Sequence, residues 1–181
     1  MLNSLMKIEG LNELPGNSLK SDCAENAGSI MAKEENAIFT NMCMVYDGDK
    51  VLVQDRLDPD WPGVTFPGGH VEPEESFVDS VIREVYEETG LTIENPRLCG
   101  VQQWTRVDGG ARYIVLFFKT DKFHGELKSS DEGEVFWINR SDIEQYVLAD
   151  GFEGMLEVFE NDELSENYYW FEDNRWKVEN K

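Results

Sequence analysis

From Ala37 onward the chain moves between two hydrophobic periods. "AIFTNMCMVYD" and "KVLVQDRL" are apolar, strand-like runs on either side of "DGDK", which predicts a hairpin. A loop containing Pro59 and Pro62 follows, then a short strand, "VTF", and the turn "PGG". From Glu75 to Thr89 the period becomes helical. Val78, Val81, Ile82, Val85 and Tyr86 recur at three- and four-residue spacings and define one apolar face. Gly90 stands where a left-handed cap ends such a helix.

Two further strands, "RLCGVQQWTR" and "RYIVLFFKT", flank the turn "VDGG", and "EVFWI" predicts a third. Ser141 is placed to cap a short helix, "DIEQYVLA", and "FEGMLEVFEN" predicts another. The tail "NYYWFEDNRWKVEN" has two aromatic runs around a turn and reads as a late hairpin that adds to a sheet or covers its edge. Strands and helices mix without a regular βαβ repeat, so the expected fold is α/β, a mixed sheet with helices on its faces. Residues 1–36 differ: "LPGNSLKSDCAENAGS" is turn-rich and aperiodic, which predicts a flexible extension before a domain spanning 37–181, with Met31 as an alternative start.

With 181 residues the chain suits one decorated domain. Its 16 basic against 37 acidic residues, a net charge of −21, disfavour a phosphate backbone or an anionic membrane as partner, and no apolar run approaches transmembrane length. A reducing cytoplasm is the expected compartment, and oligomeric state stays open, a homodimer included. Cys23, Cys43 and Cys99 are scattered, and His70 and His124 are the only histidines, so a zinc site is not expected.

The acidic excess concentrates on the predicted helix. On a wheel of about 100° per residue, Glu84, Glu87 and Glu88 fall in one arc opposite the apolar side. They are either a solvated face or a set of hard oxygen ligands for Mg²⁺ or Mn²⁺. Arg83, one turn from Glu87, is spaced to orient a carboxylate.

Wider spacing separates the two readings. Gly69, Glu75, Arg83, Glu84, Val85, Glu87, Glu88, Gly90 and Leu91 match every specified position of GX5EX7REUXEEXGU, where U is aliphatic. The segment thus resembles the Nudix box, and the surrounding strands extend the resemblance over about Ile38 to Phe159. The resemblance implies an α/β/α sandwich around a mixed sheet and cleavage of a diphosphate with Mg²⁺ or Mn²⁺. It makes Glu84, Glu87, Glu88 and the Gly69 carbonyl metal ligands, with Glu75 fixing the loop and Arg83, and Gly90 closing the helix. Glu84 is the expected general base. Glu132, five residues before Trp137, is a second candidate, with Glu134 behind it.

The resemblance also places Arg56 against a substrate phosphate, although an ion pair with Asp55 or Asp58 accounts for it equally. Trp104, Arg106, Tyr113 and Phe117 lie on the two strands that border the expected base site, where each reads as core in preference to ligand, and Asp150 stands where relatives read a purine edge. His70 is read as a loop residue rather than a catalyst. The expected partner is a small nucleotide: a nucleoside triphosphate or other nucleoside diphosphate derivative, with 8-oxo-dGTP chemically admissible. The alternatives are ADP-ribose or another nucleotide sugar, and a Nudix module that binds nucleotides without cleaving them.

Overall fold

The hairpin expected at "DGDK" forms: β1 (Ala37–Asp47) turns through Gly48, φ 58°, into antiparallel β2 (Lys50–Arg56). This computed structural model describes residues 34–107 and 110–181. The N-terminal extension therefore lies outside the described residues up to residue 33. Of its last three residues, Glu35 pairs with the Arg112 guanidinium at 3.1 Å, and the Asn36 carbonyl accepts from the Arg112 amide at 2.8 Å.

The chain continues through β3 (Gly63–Thr65), α1 (Phe77–Thr89), β4 (Leu91–Ile93), β5 (Arg97–Thr105), β6 (Arg112–Thr120), β7 (Phe123–Gly125) and β8 (Gly133–Asn139). A 3-10 helix (Arg140–Gln145), α2 (Phe152–Glu160), β9 (Glu166–Glu172) and β10 (Arg175–Asn180) complete it. The main sheet runs β10-β9-β5-β6-β1-β2-β3, with β8 also on β2, while β4 and β7 form a separate ribbon. β1 with β6 and β5 with β9 are parallel and the other pairs antiparallel, so the sheet is mixed.

Period-two alternation divides the core between the two faces. Met42, Met44, Val115 and Phe117 pack with Phe152, Met155 and Phe159 of α2. Their neighbours Cys43, Val45, Leu116 and Phe118 pack with Val81 and Val85 of α1. One helix on each face gives the expected α/β/α layering. β1 also keeps only two residue pairs with β2 before the glycine segment takes its edge. The Cys43 amide donates to the Pro67 carbonyl (2.9 Å), and the Asn41 amide to the Gly69 carbonyl (2.8 Å). The loop before α1 is thereby paired to the sheet as a strand would be.

Two local expectations differ from the structure. α1 begins at Phe77, because the Ser76 hydroxyl accepts from the Asp79 amide (3.1 Å) and makes Ser76 the cap. Its buried side carries Ser80, Val81, Val85, Glu88 and Thr89, whereas Val78 and Tyr86 are exposed. The wheel placed Glu88 opposite the apolar face; the structure turns it inward. The helix expected after Ser141 is instead a 3-10 helix capped at Asn139 without a side-chain bond. Its sequel cannot stay helical, because the Val147 carbonyl and the Ala149 amide bond to both sides of Val64 in β3 (2.8 and 3.0 Å).

The tail forms the β9–β10 hairpin, turned by Asp173 and Asn174 at φ 55° and 59°, and extends the sheet from β5. No helix among the described residues is long and apolar enough to cross a membrane.

Candidate active site

Three segments converge beside the N-terminal half of β1: the loop 67–71, the Arg83–Glu88 stretch of α1, and the loop before β8. Arg83 ties the first two together. Its Nε and Nη2 donate to the two oxygens of Glu75 (2.9 and 2.8 Å), and Nη2 also donates to the His70 carbonyl (3.0 Å). Glu75 Oε2 accepts from the Glu72 amide as well (3.0 Å). The guanidinium and that amide hold the Glu75 carboxyl far below its usual range, at about 2, and the same contacts raise Arg83.

The second Arg83 fork holds two carboxylates. Nη1 donates to Glu84 Oε1 (2.8 Å) and to Glu87 Oε2 (3.0 Å). Glu88 takes a different donor, the Gly68 amide, which reaches its Oε2 at 2.8 Å. Each carboxylate therefore has one oxygen fixed, and no hydrogen-bond donor is recorded on the other. For Glu88, which is 2% exposed, that second oxygen is also buried.

Burial, then the adjacent Glu132 carboxyl, push Glu88 up to about 8, and Glu84 also raises it. Burial raises Glu84 too, against the pull of Arg83, with Glu87 and Glu132 adding to the rise. Glu87 remains largely exposed. As the side chains stand, no three acidic or histidine groups among the described residues converge on one point. What they offer is a row of carboxyl oxygens without hydrogen-bond donors, which is the kind of hard oxygen a divalent cation takes.

The glycines are needed for close approach. A Cβ on Gly69 would stand 2.6 Å from the Glu84 carboxyl carbon, and one on Gly68 would meet the Met42 Cα at 2.7 Å. Gly90 adopts φ 72° and donates its amide to the Tyr86 carbonyl (2.8 Å), ending α1.

A cavity of about 730 Å³ opens from Glu84, Gly69 and Glu132 toward the α2 face. Among the described residues, Arg56 is the only arginine or lysine in its lining. It pairs with Asp58 at 3.2 Å, lies 5.2 Å from the centre of the Trp61 ring, and keeps a buried Nε without a partner. The ion pair weighed from the sequence thus exists, and the guanidinium faces the cavity as well. Trp104 and Tyr113 stack at 4.4 Å and line the wall, with the Tyr113 hydroxyl 3.3 Å from His70 Nε2. Asp150 also lines it, and its carbonyl accepts from Trp61 Nε1 (2.9 Å), fastening the loop before β3.

Phe117 does not reach the cavity: it is fully buried, stacked on Phe159 at 4.6 Å. Arg106 lies outside the lining and borders a smaller depression beside Tyr168 and Trp170. Glu134 is exposed and outside the cavity lining. Sequence reasoning missed Trp61, Gln102, Tyr169 and Trp176, which also line the cavity. Trp61 carried a signal, a lone tryptophan in a polar loop. The other three depend on how the C-terminal hairpin docks.

The NUDIX domain matches residues 40–171. An uncharacterized Nudix hydrolase of Bacillus subtilis, YvcI, is 36% identical over 113 residues, covering 60% of this chain and 70% of its own. The CTP pyrophosphohydrolase of Escherichia coli is 31% identical over 114 residues, covering 62% and 83%. Among solved structures, the MutT protein of Bacillus halodurans superposes with a TM-score of 0.64 at 26% identity, over 78% of this chain and 97% of that one. With Gly69 and Glu84 of the box lining the cavity and the family matched over most of the chain, this protein belongs to the Nudix hydrolase family, whose members are pyrophosphohydrolases that typically use divalent metals.

Proposed function

We propose that this chain hydrolyses a nucleoside triphosphate to the monophosphate and pyrophosphate with Mg²⁺ or Mn²⁺, an oxidised purine such as 8-oxo-dGTP being the leading candidate. The carrying observation is one cavity that joins a carboxylate cluster, a lone guanidinium and an aromatic wall. Its volume, about 730 Å³, accommodates a nucleotide, and a diphosphate needs both a cation at the acidic end and a donor such as Arg56 along its length.

Glu84, Glu87, Glu88 and the Gly69 carbonyl would hold the cation, through the oxygens that Arg83 and Gly68 leave open. The cation, when bound, neutralises phosphate oxygens and acidifies water. Water attacks the phosphorus in line, its proton passes to Glu84, and the phosphorus–oxygen bond to the leaving pyrophosphate breaks with the electron pair going to pyrophosphate. Glu132 is the alternative acceptor of that proton, since it lines the same cavity and faces Glu88. Arg56 binds a phosphate oxygen, Trp104 supplies a stacking wall, and Asp150 accepts from the base. The extension through residue 36 is not needed for any of these roles.

A phosphate-release panel with Mg²⁺ tests this reading across 8-oxo-dGTP, the ordinary nucleoside triphosphates, ADP-ribose and other nucleotide sugars. One arm contains pyrophosphatase and one alkaline phosphatase, to identify the leaving group. Preferred cleavage of a triphosphate with pyrophosphate release supports the proposal. Preferred cleavage of ADP-ribose replaces the substrate, and binding without cleavage replaces the activity.

A further inference from the structure

Gln102 of β5 and Tyr169 of β9 both line the cavity, and a chain of three amides leads to it from β10. It starts at Asn180 on β10. Asn180 Nδ2 donates to the Gly154 carbonyl (3.0 Å) and to Glu157 Oε2 (2.6 Å). A backbone carbonyl and a carboxylate only accept, so the orientation of this amide is settled by its partners. Asn180 Oδ1 then accepts from Asn167 Nδ2 (2.6 Å), and Asn167 Oδ1 accepts from Gln102 Nε2 (2.7 Å).

Turning over any one amide would set two donors or two acceptors face to face in a buried place, for Asn167 is fully buried and Gln102 only 4% exposed. The close approach of α2 is part of the arrangement: a Cβ on Gly154 would come within 3.1 Å of Asn167 Nδ2.

The chain ends at Gln102, which lines the cavity. Its Nε2 is committed to Asn167, and no donor among the described residues reaches its Oε1. Gln102 therefore brings to the cavity lining an oxygen that accepts and cannot readily exchange places with its NH₂ group. We infer that Gln102 is a specificity-determining residue, held as an acceptor through Asn167 by Asn180, and that it selects a nucleobase bearing an exocyclic amino group. The inference rests on the nucleotide-binding reading of this cavity. It also assigns a role to β10, which lies beyond residue 171, where the NUDIX match ends.

The test compares dGTP with dITP, which lacks only the 2-amino group, and dATP with purine deoxyriboside triphosphate, which lacks only the 6-amino group. Both kcat/KM with Mg²⁺ and equilibrium Kd are measured. One hydrogen bond to the fixed acceptor corresponds to a preference of about tenfold for the amino nucleotide in at least one pair, carried in KM and Kd. Gln102→Met removes the acceptor and should bring that ratio to about one. Asn180→Ala, at the accessible end of the chain, frees Asn167 to turn and should lower the same ratio at least threefold, about 0.6 kcal/mol of discrimination.

The ratio is read rather than the rate, because a purely structural loss slows both nucleotides alike. If Gln102→Met does not fold, Asn180→Ala decides. A ratio near one in the unmodified protein, or one that survives both substitutions, overturns the inference. Selective binding without hydrolysis upholds it while removing the hydrolase reading. No binding of either nucleotide overturns both.

Discussion

Glu88 Oε2 accepts a 2.8 Å hydrogen bond from the Gly68 amide, which turns a glutamate of α1 toward the loop and leaves it 2% exposed. That bond adds to the Arg83 contact with the His70 carbonyl in holding the helix to the glycine segment, while stranding a second oxygen without a partner. Burial thereby raises the Glu88 carboxyl, and a cation would have to displace its proton near neutral pH.

A pH dependence follows. The Glu88 carboxyl is raised from 4.5 to about 8 in the fold, so the folded state holds a proton that the unfolded state has released between those values. Its contribution to stability is complete below about pH 4.5 and is lost as pH rises toward 8. The melting temperature of chelator-treated protein should fall from pH 5 to pH 8, and the rise on adding Mg²⁺ should be larger at pH 8. Glu88→Gln should flatten the first trend and abolish the second. A wild-type slope retained in that variant would remove Glu88 as its source.

Glu75 carries the opposite sign. Its carboxyl is held at about 2 against 4.5, so its pairing with Arg83 stabilises the fold above about pH 4.5 and is lost as pH falls toward 2. Glu75→Gln should unfold at a higher pH than wild type in acid titrations followed by circular dichroism. Coincident midpoints would count against the pairing as a stabilising contact.

Arg83 forks to Glu75 on one side and to Glu84 and Glu87 on the other, a planar geometry an ammonium group cannot reproduce. Arg83→Lys should therefore lower kcat by about tenfold with little change in KM, since the residue positions carboxylates rather than substrate. An unchanged kcat would mean the carboxylates need no such orientation.

The two candidate bases separate kinetically. Glu84→Gln should lower kcat by about 10²–10⁴-fold while weakening Mg²⁺ binding far less, as removal of a general base does. A normal kcat in Glu84→Gln, with a collapse in Glu132→Gln, would move the proton transfer to Glu132.

Trp61→Phe keeps the ring beside Arg56 and removes the bond to the Asp150 carbonyl. A neutral hydrogen bond of about 0.5–1.5 kcal/mol corresponds to a KM increase of roughly two- to tenfold, with kcat nearly constant. Deleting residues 1–30 should alter neither melting temperature nor activity; a loss of either would give the extension a structural role.

The sequence alone made the family legible through spacing. Glu75, Glu84 and Glu87 share Arg83, helix periodicity brings Arg83 and Glu87 together, and a glycine is recognisable where the Glu84 carboxyl crowds the backbone at Gly69. The strand pattern was legible for the same reason, because alternation along β1 and β6 is a property of each strand. Tertiary contacts decided the rest. Periodicity counted Val78 and Tyr86 as core and Glu88 as surface, but the Gly68 amide lies on the inner side of α1 and draws Glu88 there. The helix expected after Ser141 gave way because β3 needed the backbone of residues 147–149 as a partner. Gln102, Asn167 and Asn180 are far apart in sequence and unremarkable there. They become one polarised chain only when the C-terminal hairpin pairs with β5, because hydrogen-bond direction in a buried network is set by neighbours that the sequence does not place side by side.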